Sequence, residues 1–385
     1  MRVLYVSLHR QQTFLEQQIS ASHQLSVLRL LNLPRKYRKF AQLPSKLASK
    51  LSSRYVGVDN LCVKYRSSAL MELLVLSRYS SFSGLSDLSY WLLSKFFKMR
   101  IANLVKSHDL VIVPSDFWDC VEPRLRPMTL LEVRWITQEF IDSFRIPISP
   151  YMLNSTSLTK RTTPANKKEL IAFGGLVTYS RVAKDSLEFL GIPKTQIFVH
   201  PLTNPSRTRN TNRTSSSSRQ NFLYVGRSNP DKRLDIAVEV AQKMRVTIDV
   251  VGTFNKVTTI WLKKQPFVNY IGNIPHRELL DLMSVSFALL VPGIESYGLA
   301  VDEALSQGTN VFATRYVGLT EWISDPRLHI VDHMNVDLFV RKILQEKKSE
   351  PAAPLHDITL LSKSLDSFLS RLNRSGANIS LDSGF

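Results

Sequence analysis

Apolar and polar positions alternate along this chain in two rhythms. Short apolar blocks bounded by polar or glycine positions predict buried strands, and longer stretches with apolar residues three and four apart predict helices. Before residue 202 the strand blocks are Arg2–Leu8, Gln24–Leu30, Leu110–Val113, Leu130–Thr137, Val177–Tyr179 and Ile197–Val199. Helical spacing covers 12–20, 68–76, 86–105, 165–176 and Arg181–Leu190, the last stopped by Gly191 and Pro193. After residue 220 the pattern sharpens. Phe222–Val225, Thr247–Val251, Val268–Ile271, Phe287–Val291 and Asn310–Ala313 read as strands, with helices at Leu234–Met244, at Pro275–Met283 and from Leu299. Strand–helix alternation of this kind predicts two α/β domains built on parallel sheets. Ligands of such sheets bind outside the carboxyl ends of the strands, so two sheets facing each other would enclose an interdomain cleft.

The stretch Thr203–Gln220 is Ser, Thr, Asn and Arg with almost no apolar residue, the composition of a linker. It divides the chain into an N-terminal domain over 1–202, the linker 203–220, a C-terminal domain over 221–350, and a final segment 351–385. That last segment is expected to hold a helix at about 357–372 that crosses back to the first domain, then a loose tail.

At 385 residues, 44% hydrophobic and 21% charged, the chain is globular and large enough for two cores. No apolar run approaches the ~20 residues of a membrane span. The first residues, Met1–Leu8, turn polar too soon for a signal peptide and read as a strand. Cys62 and Cys120 give neither a disulfide framework nor a metal-binding spacing, so a reducing, cytoplasmic setting is expected. The net charge of +18 is uneven: residues 1–100 hold 16 Lys/Arg against 4 Asp/Glu. Within them, Pro34–Tyr55 carries seven basic residues and no acid. Phe40, Leu43, Leu47 and Leu51 would form an apolar stripe beside Lys46, Lys50 and Arg54. Two readings stand, a helix packed on the N-terminal sheet and a peripheral contact with an anionic membrane surface. Nucleic acid is the third candidate for so basic a segment, but no nucleic-acid-binding motif accompanies it.

The densest chemistry lies in Glu295-Ser-Tyr-Gly-Leu-Ala-Val-Asp-Glu303, with two acids eight residues apart across a strand–loop–helix junction. Helix starts favour anions, and carboxylates can hold sugar hydroxyls. A second cluster follows the first strand after the linker. There Gly226 permits a turn, and Arg227 and Lys232 lie five residues apart, suited to a diphosphate. This loop is neither a P-loop nor a dinucleotide fingerprint, since no G-x-G-x-x-G follows a strand. Singly, each acid reads as a helix-start carboxylate and each cation as a solvated charge. Their succession on consecutive strand ends favours a ligand site.

These residues carry a resemblance. The segments FLYVGRSNPDKR (222–233), VVGTF (250–254), VNYIGNIPHRELLDLMS (268–284), PGIESYGLAVDEALSQG (292–308) and ATRYVGLTEWISD (313–325) resemble the retaining family 4, or group 1, glycosyltransferases. The likeness is specific over 222–325, weaker over 173–201, and only architectural before that. It implies the GT-B fold, two Rossmann-like domains with parallel sheets facing a cleft. It also implies sugar transfer from a nucleotide-diphosphate sugar to an acceptor hydroxyl with retention, with no metal and no cofactor beyond the donor. By the same resemblance Arg227 and Lys232 bind the diphosphate and stabilise the leaving group, and Glu295 orients the transferred sugar. The backbone at Tyr297, Gly298 and Leu299 meets sugar or phosphate, and Glu303 holds the ribose. The expected setting is cell-surface or secreted glycan synthesis on a glycan or lipid-linked acceptor.

The N-terminal half departs from that family. The turn after the first strand, Ser7–Gln11, lacks the usual glycine pair, and the 130–137 strand leads to Gln138-Glu139 where many relatives place a histidine. His9 and Glu139 are the weak candidates for an acceptor or cleft role, with His108 and His200 weaker still. A non-catalytic nucleotide-sugar-binding protein and a nucleic-acid-modifying glycosyltransferase are the rival readings.

Overall fold

The structure, a computed structural model, describes residues 108, 110–144, 166–200, 221–227 and 229–346, and the backbone of 2–7 and 24–29. The expected helices at 12–20, 68–76, 86–105 and 357–372, the basic segment 34–55, His9, the linker 203–220 and the segment 351–385 lie outside the described residues.

The N-terminal domain contains β1 (Arg2–Ser7), β2 (Gln24–Arg29), β3 (Leu110–Pro114), β4 (Thr129–Glu132), α1 (Gln138–Ser143), α2 (Lys167–Ile171), β5 (Gly175–Thr178), α3 (Arg181–Phe189) and β6 (Ile197–Val199). Its sheet runs β2-β1-β3-β4-β5-β6, and every pair is parallel. β3, β4 and β5 are buried along their whole length, with polar residues only at the ends of the Leu-Leu and Leu-Val pairs of β4 and β5.

The C-terminal domain follows as β7 (Phe222–Arg227), α4 (Leu234–Met244), β8 (Ile248–Thr253), α5 (Lys256–Lys264), β9 (Val268–Gly272), α6 (His276–Val285), β10 (Ala288–Val291), α7 (Leu299–Ser306), β11 (Asn310–Thr314), β12 (Leu328–Val331) and α8 (Val336–Glu346). The sheet order is β12-β11-β10-β7-β8-β9, again all parallel. Period-two alternation divides its strands between two cores. Phe222, Tyr224, Leu290 and Phe312 pack with Leu234 and Ala237 of α4 and Phe339 and Ile343 of α8. Leu223, Leu289, Val291 and Val311 pack on the other face with Met283 of α6 and Val301 and Leu305 of α7. Each such side chain contributes about 1.5–3 kcal/mol by leaving water.

Several elements differ from the sequence expectation. The strand expected over 130–137 ends at Glu132, where its neighbour β3 ends at Pro114. Thr137 instead caps α1, its hydroxyl accepting from Phe140 N–H at 3.3 Å. The helix expected over 165–176 is the short α2, after which Gly174 pairs with the Arg126 and Thr129 carbonyls and leads into β5. Four elements went unanticipated: α1, α5, β12 and α8. In α5 the β-branched run Val257-Thr-Thr-Ile260 favours a strand locally. The Asn255 cap, accepting from Thr258 N–H at 2.8 Å, and the buried Thr258 and Leu262 make it a helix.

Candidate functional site

In the second sheet the order reverses between β7 and β10, so the chain leaves these neighbouring strands toward opposite sides. A crevice opens at such a switch point, outside the carboxyl ends of the strands. The loop after β7 carries Lys232 and the loop after β10 carries Glu295.

One backbone bond joins the two loops, and a side chain of β11 holds the second. Ile294 N–H donates to the Asp231 carbonyl at 2.8 Å, and Thr314 Oγ1 donates to the Gly293 carbonyl at 2.6 Å. Position 293 must be glycine, because a Cβ there would lie 2.1 Å from the Asp231 carbonyl oxygen. Lys232 Nζ donates to the Ile294 carbonyl at 3.0 Å, and lies 3.4 Å from Asp231 Oδ2 and 3.6 Å from Glu295 Oε1. One ammonium thus faces two carboxylates, all largely but not wholly withdrawn from water. Beneath them the Tyr224 hydroxyl donates to the Lys232 carbonyl at 3.4 Å. Burial, then the charges of Glu295, Asp231 and Asp235, push its phenol well above the ordinary range, so it stays a neutral donor. Gly226 lies against that ring, where a Cβ would meet Tyr224 Oη at 2.7 Å.

The loop beyond Glu295 is pinned as firmly. Glu295 forms a parallel bridge with Val317, its N–H donating to the Tyr316 carbonyl and its carbonyl accepting from Gly318 N–H. Gly298 begins α7 at φ +102°, a left-handed conformation suited to glycine. It brings no side-chain cap, which leaves the first N–H groups of α7 for an anion. Leu299 is exposed beside them, while the Tyr297 ring is buried against Tyr179 of the N-terminal domain.

The other expected residues are placed as follows. Arg227, at the end of β7 opposite Thr253, is exposed, and its side chain makes no hydrogen bond or ion pair among the described residues. Glu303, in α7, is paired with His276 Nε2 at 2.9 Å. Glu139 is exposed in the first turn of α1. His200 is buried, and desolvation lowers its pKa to about 4, so it is a neutral interior residue rather than a cleft acid. Two participants were missed by sequence reasoning, Asp231 and His276. Asp231 stands beside Lys232, which was singled out, and His276 lies in the expected helix Pro275–Met283.

Both domains contribute to the seam around this site. Ser296 Oγ donates to the Arg134 carbonyl at 2.7 Å, and Arg134 Nη2 lies 2.5 Å from the buried Glu132 carboxylate. Glu321 accepts from the Arg181 and Val182 N–H groups at 2.7 and 3.0 Å, so a C-terminal-domain carboxylate caps α3 of the other domain. Trp322 Nε1 donates to the Tyr179 carbonyl at 3.2 Å, and Phe144 meets Tyr316 edge-on.

Residues 207–355 match the family described as Glycosyl transferases group 1. No curated protein matches the chain in a sequence search. Among solved structures, a sucrose-phosphate synthase from Thermosynechococcus elongatus shares 14% identity over 97% of this chain and 99% of its own, with a TM-score of 0.58. WaaG, a glycosyltransferase involved in lipopolysaccharide biosynthesis, shares 12% over 99% and 100%, with a TM-score of 0.50. An E. coli trehalose-6-phosphate structure bound with UDP-2-fluoro glucose shares 11% over 97% of each chain, with a TM-score of 0.51. The two parallel sheets and these likenesses define the fold as GT-B. Among the described residues no helix is long and apolar enough to cross a membrane.

Proposed function

Taking residues 207–355 as a group 1 glycosyltransferase domain, we propose that the protein moves a sugar from a nucleotide-diphosphate donor to an acceptor hydroxyl with retention of anomeric configuration. The observation that carries this reading is the convergence of Lys232 and Glu295, 3.6 Å apart, at the switch point of the second sheet, next to the uncapped start of α7. Lys232 exchanges its contacts with Asp231 and Glu295 for the donor diphosphate, and exposed Arg227 closes on the same group. Both cations, with the N–H groups after Gly298, stabilise the charge that grows on the leaving phosphate. Glu295, released from Lys232, accepts hydrogen bonds from hydroxyls of the transferred sugar. The bond from the anomeric carbon to the phosphate oxygen breaks as the acceptor oxygen bonds to that carbon on the same face. The acceptor proton passes to the departing phosphate oxygen. No metal takes part in this scheme, so a chelator leaves turnover unchanged.

The acceptor in this reading is a cell-surface or secreted glycan, reached from the cytoplasmic face with 34–55 lying on anionic lipid. WaaG, which shares the fold, is involved in lipopolysaccharide biosynthesis, and that lends this direction support. Sedimentation with anionic and neutral vesicles tests the membrane contact.

The deciding experiment is calorimetric titration with nucleotide-diphosphate sugars, followed by turnover assays. Lys232→Ala should weaken donor binding by about 10–100-fold, the loss of charge-assisted contacts worth roughly 1.5–3 kcal/mol. Glu295→Ala should keep nucleotide binding and lose most transfer. Wild-type protein that binds no nucleotide sugar refutes the assignment, and binding without any turnover or donor hydrolysis points to a non-catalytic binding protein.

A further inference from the structure

Glu303 does not meet a ligand with a freely rotating carboxylate. His276, the first residue of α6, holds its Nε2 at 2.9 Å from Glu303 Oε1. The two belong to helices that follow different strands, β9 and β10, so the contact joins α6 to α7 beyond the carboxyl edge of the sheet. Both ends are anchored from below. Ile274, Leu279 and Leu280 around His276 pack on the core cluster that contains Val301, Ala304 and Leu305 of α7. Pro275 at φ −57° fixes the approach of the chain to the helix.

The imidazole is 66% exposed and the carboxylate 25%. A contact so open to water adds little to folding, yet it removes the rotational freedom of an acid beside the candidate site. With Nε2–H donating to Oε1, the carboxylate is restrained in rotation while part of the side chain stays open to solvent as an acceptor. Vicinal hydroxyls of a ribose donate in a pair, and they bind best to an acceptor whose orientation is already fixed.

We infer that His276 is a positioning and specificity residue of the donor site: it orients Glu303 for the 2′- and 3′-hydroxyls of the nucleotide and so selects ribonucleotide over deoxyribonucleotide donors. This rests on the nucleotide-sugar reading of the same site, and the two can fail separately.

The test is calorimetric binding of uridine, guanosine and adenosine diphosphates, each beside its 2′-deoxy counterpart, to wild type, His276→Ala and His276→Gln. Thermal melts confirm that each variant folds. Wild type should prefer the ribonucleotide. His276→Ala should lose about tenfold in ribonucleotide affinity and distinctly less toward the 2′-deoxy form, which keeps only the 3′-hydroxyl, so the discrimination narrows. His276→Gln keeps an N–H at similar reach and should restore most of it. In turnover the alanine variant should raise KM for the donor sugar with kcat nearly unchanged. An unaltered ribo/deoxy ratio in His276→Ala overturns the inference while leaving the donor site intact, and so does an equal loss for both nucleotides. No binding of any diphosphate by wild type removes the parent reading and this one with it.

Discussion

The seam between the domains can be tested independently of any ligand, through Glu321. Its carboxylate receives two N–H donors at 2.7 and 3.0 Å from the first turn of α3, across the domain boundary. The third N–H of that turn, from Ala183, is already served by Ser180 Oγ at 3.1 Å. Removing Glu321 therefore strips α3 of two of its three caps. Hydrogen bonds to a charged acceptor contribute about 1.5–3 kcal/mol each at best. Burial works against them here: it is the largest influence on the carboxyl and pushes its pKa above the usual carboxylate value, with the two N–H bonds and Arg181 pulling the other way. Because the folded pKa is raised, the part of the stability linked to protonation is full below the unfolded pKa and declines as pH rises through the folded one. At neutral pH the ionised group keeps its bonds but bears the desolvation, so the net falls to the range of a lost helix cap, about 1–2 kcal/mol. Glu321→Ala should lower urea stability by that amount at pH 7.5, and Glu321→Gln by less. Glu239→Ala, on an exposed face of α4, should stay within about 0.5 kcal/mol of wild type. Small-angle scattering should show the alanine variant populating a wider domain separation. A Glu321→Ala protein matching the Glu239 control in both stability and scattering profile would refute the cross-domain cap.

Three further outcomes are expected. Gly298→Ala puts a Cβ on a residue at φ +102° and within 2.6 Å of Val317 Cγ1, and should cost about 1–3 kcal/mol; adding Val317→Ala should recover only the steric part, read by thermal melting. His200 is buried with its pKa lowered to about 4 by desolvation, so the unfolded chain takes up its proton first and stability drops as pH falls from 6.5 toward 4. That histidine should account for up to about 3 kcal/mol of the acid loss, and urea unfolding of His200→Gln across this window should show a correspondingly shallower pH slope. Ser296→Ala removes the 2.7 Å bond to the Arg134 carbonyl and should reduce turnover more than donor affinity, because it loosens the loop beside Glu295 without touching a cation; an unchanged kcat would count against a role for that bond.

Strand and helix identity in the C-terminal domain was legible because both faces of its sheet are covered, so each strand is a compact apolar block between polar turns. The switch-point loops were legible for a related reason. Gly226, Lys232, Gly293 and Gly298 are residues whose types are dictated by backbone approach or charge at one place, and a linear pattern records such demands. The elements that escaped are those whose identity depends on partners distant in sequence. α5 is helical despite its β-branched run because an asparagine caps it and two side chains find the core, and β12 is a strand because β11 is beside it with Phe312 opposite His329.

The same distinction separates the two halves of the candidate site. Lys232 and Glu295 are brought together by the sheet order, which sets β10 beside β7 although two strand–helix units separate them in the chain. The orientation of each carboxylate is set differently. Glu295 is fixed by a strand bridge to Val317 and, through its neighbour Ser296, by a carbonyl of the other domain; Glu303 is fixed by an imidazole from the preceding helix. No periodicity announces such contacts, since each pairs one ordinary-looking polar residue with another at a separation fixed by the fold. If a donor must displace Lys232 from Glu295, the loop cannot drift while its ion pair is open, and the bond from Ser296 to the N-terminal domain is what holds it then. Under the proposed function, donor capture and domain pairing are coupled through residues 295 and 296, and a change at the seam should be felt in turnover even where it touches neither sugar nor phosphate.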